Sequence, residues 1–146
     1  MLALLVAGIT PTLVVATPAQ AYGCYGASCN YLDPQTNGCS TGAQNLQSIN
    51  PEPWYVVQLR YSPGCYAAWA RVESLLAGGG GPQYHYLKLQ VWSARTGGTL
   101  LRTETRHIDE LPGSGNAVWT AMGSYNNYVQ ACMKDANDFG WCTGRF

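Results

Sequence analysis

The clearest pattern in the chain is a period of two. Tyr55, Val57, Leu59 and Tyr61 alternate with Val56, Gln58 and Arg60, the signature of a strand with one buried face. Ser62-Pro63-Gly64 follows and predicts a type II turn, with proline presetting φ at the first central position and glycine accepting positive φ at the second. Ala67, Ala68, Trp69 and Val72 predict the returning strand, in which small alanines leave space for one large ring lying against a close backbone. A cleaner alternation spans residues 84–93, with Leu87, Leu89 and Val91 on one face and Tyr86, Lys88, Gln90 and Trp92 on the other. Gly97-Gly98 is a hairpin signal, after which residues 99–106 return with Leu101, Thr103 and Thr105 opposite Leu100, Arg102 and Glu104. Residues 117–122 and 128–133 predict two more strands joined by a turn around Gly123.

Between these runs lie turn residues. Residues 22–50 have little periodicity and contain Asp33-Pro34 and Asn37-Gly38. The glycines at 78–81 predict a mobile loop and not a phosphate loop, because no Gly-Lys-Ser/Thr follows. Residues 107–116 form a loop with Pro112, Gly113 and Gly115, and residues 135–146 a polar tail with Phe139, Trp141 and Phe146. No stretch carries a 3.6-residue stripe and no repeat of fixed period appears. The expectation is an all-β fold, a sandwich or partly closed barrel of about six strands with an irregular N-terminal segment.

Residues 2–16 are almost wholly apolar and are followed by Thr17-Pro18-Ala19-Gln20-Ala21, whose small-x-small ending predicts signal-peptide cleavage after Ala21. The run is short for a bilayer, contains Pro11 and has no basic stop after it, which weighs against a membrane span. No Lys or Arg precedes it, so the start is expected upstream of Met1 or the leader is trimmed. The domain plan is then a removed leader (1–21) and one exported β domain (22–146), made of a turn-rich cysteine segment (22–53), a sheet region (54–133) and a clasped tail (134–146). Eight basic and eight acidic residues balance, all of them after the leader. A neutral surface excludes nucleic acid and anionic membrane as partners, since both demand a basic face.

Six cysteines, Cys24, Cys29, Cys39, Cys65, Cys132 and Cys142, make the domain disulfide-stabilised if it is exported. Zinc is the competing reading, but no Cys-x-x-Cys occurs and both histidines are remote in sequence. Proximity pairs Cys132 with Cys142; the pairing among Cys24, Cys29, Cys39 and Cys65 stays open. Cys24…Cys29…Asp33-Pro34…Gly38-Cys39, followed by Leu59-Arg60-Tyr61-Ser62-Pro63, Cys65 and Ala67-Ala68-Trp69-Ala70-Arg71-Val72, resembles DUF2690, a family of actinobacterial secreted proteins of unknown function. The resemblance implies export, a disulfide-braced β domain and no assigned catalytic residue.

Little else points to catalysis. His85 and His107 are the imidazoles available as bases, and each reads as a packed or solvated side chain. Gly-x-Ser-x-Gly and His-Glu-x-x-His are absent. Asp135-x-Asn137-x-Phe139-Gly140 begins like a calcium loop but puts Phe139 where a third oxygen ligand belongs. Neither metal nor cofactor is expected. Arg60 and Arg71 flank the central turn and are candidates for binding an acidic partner or stacking on Tyr61 or Trp69. Tyr86, Trp92 and Tyr84, opposite Leu87-Leu89-Val91, are candidates for an exposed aromatic platform. The expected function is a secreted, non-enzymatic interaction module binding another extracellular or envelope protein. The alternatives are a carbohydrate or cell-wall polysaccharide binder using the aromatic face and, third, a small wall hydrolase.

Overall fold

The computed structural model describes residues 21–78, 84–110 and 113–146. The expected leader, apart from Ala21, and all but Gly78 of the four-glycine run lie outside these residues, as does Pro112. The described chain forms nine strands: β1 (Gln44–Glu52), β2 (Tyr55–Ser62), β3 (Ala67–Ser74), β4 (Tyr86–Trp92), β5 (Leu100–His107), β6 (Ala117–Trp119), β7 (Gly123–Ser124), β8 (Tyr128–Lys134) and β9 (Gly140–Cys142). A single 3-10 turn at Gly26–Cys29 precedes them. One antiparallel sheet runs β1-β2-β3-β6, with β7 also on β3; the other runs β5-β4-β8-β9. The two stack as a sandwich and do not close into a barrel. No helix among the described residues is long and apolar enough to cross a membrane.

The sandwich follows from the alternation. Tyr55, Val57, Leu59, Ala68, Ala70 and Val72 from one sheet meet Leu87, Leu89, Val91, Val129, Ala131 and Met133 from the other in one buried core. Strands β2 and β3 pair without a bulge from Tyr55↔Ser74 to Ser62↔Ala67, which keeps every side chain of both strands on its assigned face. At the edge, β5 turns an Arg102–Glu104 ion pair (3.0 Å) toward the sheet, and inward-pointing charges of this kind discourage edge-to-edge pairing.

Several expectations are corrected. Strand β1 lies inside the segment expected to be irregular. Its sequence, QNLQSINPE, is polar because it is an edge strand with two register shifts, and only Leu46 and Ile49 pack on the core. Pro51 fits because an edge strand can forgo a ladder donor. The tail also pairs: β9 joins β8 through Met133↔Trp141, and Phe146 exchanges backbone hydrogen bonds with Val129 (3.0 and 3.1 Å). Of the expected strand at 117–122 only Ala117–Trp119 form one (β6), while Gly123–Ser124, expected in the turn, form β7; both pair with β3. The central turn is not type II. Pro63, Gly64, Cys65 and Tyr66 form the loop, and the left-handed residue is Tyr66 (φ 49°), not Gly64. Gly64 is needed for a different reason: the Tyr22 ring occupies the space its Cβ would fill.

Candidate functional site

The N-terminal segment is a lid bolted to the outer face of the first sheet. Cys24 bonds Cys29 and Cys39 bonds Cys65. The two bridges touch, with Cys24 Sγ 3.8 Å from Cys39 Sγ, so all four thiols that could have bound zinc are consumed in one covalent knot. Beneath it Cys29, Cys39, Cys65, Ala67, Trp69 and Met122 make a second buried core. Trp69 therefore lies under the lid, 3% exposed, and not between the sheets. Backbone hydrogen bonds from Gly26 to Cys65 (2.7 Å) and from Met122 to Leu32 (2.9 Å) stitch the lid to its surroundings. Asn30 Oδ1 accepts from Arg102 (2.7 Å) and from the Ser124 amide (2.8 Å), tying the lid to the second sheet. Cys132 bonds Cys142 across the β8–β9 ladder. The unreduced protein is expected to take up no thiol reagent, and peptide mapping should recover these three bridges; a Cys24 peptide linked to Cys39 would refute the knot.

Where lid and ladder meet, a hollow of about 250 Å³ opens, lined by Pro34, Gln35, Ser40, Arg60, Trp69, Arg71 and Trp119. The predicted residues Arg60 and Arg71 come together here because Arg60 pairs across the ladder with Trp69, and Gln58 with Arg71. Both arginines are half-buried. Arg60 Nη2 donates to the Ala43 carbonyl (2.9 Å). Arg71 Nη1 donates to Gln58 Oε1 (2.6 Å) and to Glu73 Oε2 (2.5 Å). Burial first, and then the charge of Arg71, push the Arg60 guanidinium below its ordinary pKa, against the pull of Glu73.

Trp119 forms the far wall, held by Asp33. The Asp33 Oδ2 accepts from Trp119 Nε1 (2.8 Å), while Oδ1 accepts from the amides of Gln35 (2.8 Å) and Thr36 (3.0 Å). Burial raises the Asp33 pKa, but the bonds from Thr36, Trp119 and Gln35 outweigh it and the net direction is down. The Asp33-Pro34 turn was legible in the sequence. Its contact with Trp119, 86 residues away, was not.

The aromatic platform is not assembled as expected. Tyr84 is 9% exposed and packs in the main core. The ladder begins at Tyr86, so the alternation does not extend back to residue 84; for the same reason His85 is exposed and does not share the inward face of Leu87 and Leu89. Tyr86 lies against the His107 ring (centroids 4.9 Å apart). Trp92 is capped by the Arg145 guanidinium, 3.4 Å from the ring centroid. His85 Nδ1 meets the Ile108 carbonyl (3.1 Å), and neither histidine lines the hollow. The Asp135 carboxylate accepts from the Asn137 and Phe139 amides (2.8 and 2.9 Å), which accounts for it as the cap of the β8–β9 turn. A different aromatic group, missed in the sequence, gathers at the tip of the β2–β3 hairpin. There Tyr66 sits between Tyr25 (5.7 Å) and Tyr125 (5.8 Å), and Tyr61 lies 4.3 Å from Tyr125.

The family model "Protein of unknown function (DUF2690)" matches residues 27–132. The chain belongs to the DUF2690 family. In this DUF2690 protein the matched span contains every residue lining the hollow and stops at Cys132, short of β9. No curated protein and no solved structure matches the chain.

Proposed function

We propose that this DUF2690 protein is an exported, non-enzymatic interaction module that docks another extracellular or envelope protein through the Arg60–Arg71 hollow. The observation that carries the reading is a rigid, concave site with tryptophan walls and paired guanidinium groups, built by a segment that is bolted on covalently. Aromatic and arginine side chains in such a setting are the usual anchors of protein interfaces. Export is supported by the leader pattern and by three disulfides with no free cysteine.

The test compares tagged wild-type protein with an Arg60→Gln/Arg71→Gln variant shown to be folded by circular dichroism. Both are incubated with culture supernatant and envelope extract. A protein species retained by the wild type and lost by the variant is the expected outcome. Equal retention by both, or retention only on insoluble wall polysaccharide, would overturn the reading.

A saccharide-binding reading is favoured by one specific observation, at a place other than the sheet face. Tyr125, Asn126, Asn127, Tyr128 and Phe146 line a second hollow of about 320 Å³ beside the tyrosine cluster. Aromatic faces next to neutral amides suit an uncharged sugar, and sedimentation with wall polysaccharide separates this from protein docking.

A further inference from the structure

We propose that the hollow is a carboxylate receptor, and that the docking partner inserts a glutamate or aspartate side chain into it. The proposal rests on the docking reading above and names the chemical group that the site takes.

The geometry is set by register. Arg60 and Arg71 are diagonal neighbours on the outer face of β2 and β3, a spacing of roughly 7–8 Å that long side chains bridge. Each guanidinium is anchored by one arm: Arg60 by the Ala43 carbonyl, Arg71 by Gln58 and Glu73. Among the described residues, Arg60 Nη1 and Arg71 Nη2 make no hydrogen bond and no carboxylate pairs with Arg60. The Arg60 Nε is buried without an acceptor. These arms are oriented before any ligand arrives, so little ordering is left to do on binding.

The charge count selects the ligand. Two guanidinium groups face one carboxylate, Glu73, which is committed to Arg71. Asp33, the nearest other acid along the lid, does not line the hollow, and its oxygens accept from Trp119, Gln35 and Thr36. One positive charge is left over in a hollow walled by Trp69, Trp119 and Pro34, where displaced water strengthens Coulombic attraction. A carboxylate carries one negative charge and its planar oxygens match the guanidinium fork. A doubly charged phosphate would leave one charge unmatched. A volume of about 250 Å³ holds one acidic side chain with its stem.

The probes are acetyl-Gly-Glu-Gly-amide, its glutamine counterpart and inorganic phosphate, titrated into the isotopically labelled full protein. NMR follows the arginine Nε–H and tryptophan indole signals. The glutamate peptide is expected to shift Arg60, Arg71 and Trp119 saturably, with the glutamine peptide and phosphate at least about ten-fold weaker. Glu73→Gln, which removes the competing carboxylate and leaves both arginines, should tighten binding by about two- to five-fold. Arg60→Gln should abolish it; should that variant fail to fold, Glu73→Gln carries the test. Equal shifts from the two peptides, tighter binding of phosphate, or no gain from Glu73→Gln would overturn the proposal. If the hollow variant loses a protein partner while the glutamate peptide shifts nothing, the carboxylate assignment falls and the docking reading stands. The opposite pair of results sinks docking and keeps the receptor.

Discussion

Replacing Trp69 by alanine is expected to destabilise the protein by about 3–5 kcal/mol, as large-to-small changes in closed cores do. The ring is 3% exposed and packs with Cys29, Cys39, Cys65, Ala67 and Met122. The Cys39–Cys65 disulfide pins the lid above it, and Cys24–Cys29 braces the lid internally, so the cavity cannot collapse readily. Trp92→Ala should cost less, below about 2 kcal/mol, because that ring is only half-buried and its main specific contact is a surface guanidinium. The buried, unpartnered Trp92 Nε1 would also be removed, which offsets part of the lost packing. Urea denaturation followed by circular dichroism compares the two. Similar midpoints would mean that the lid does not enclose a second core.

Loss of the Cys39–Cys65 bridge should be the most damaging disulfide change. It closes a separation of 26 residues, against 10 for Cys132–Cys142. In the chain-entropy model these correspond to about 3–4 and about 2–3 kcal/mol. The entropic gap is small; the structural one is larger. Cys39 and Cys65 are both fully buried beside Trp69, and serine there would bury hydroxyl groups in an apolar core. Cys142, by contrast, sits on a strand that keeps its ladder to β8, and the tail beyond it stays bonded to Val129. The Cys132→Ser/Cys142→Ser double variant should fold with a lowered Tm and a tail that resists protease in part. The Cys39→Ser/Cys65→Ser variant should lose protection across residues 22–43. Limited proteolysis of both decides between them, and earlier cleavage of the C-terminal tail would reverse the order.

The two predictions mark where local pattern stops being informative. Trp69 was legible as a core residue because alanines flank it on an alternating strand. Which core it joins was not, since that depends on a lid whose own sequence has no periodicity. Tyr84 shows the opposite error: alternation was carried past the end of the ladder, where no pairing enforces it. Arg60 and Arg71 flank the central turn as read, and they share one face as diagonal neighbours because parity within a paired, unbulged hairpin is a local property. Nothing local indicated that they border a concavity.

By itself the sequence determined the all-β class, the strands β2, β3, β4 and β8, the chemistry of the cysteines and the neutrality of the surface. Each of these is written in nearest neighbours or in composition. Only the tertiary structure decided that polar QNLQSINPE and Gly140–Cys142 are strands, because an edge strand needs a partner's ladder more than a hydrophobic face. It also decided the pairing of the four N-terminal cysteines and the existence of the hollow. Those depend on Cys39 reaching Cys65 and Asp33 reaching Trp119, contacts between distant segments whose gain appears only once both sheets and the lid are in place.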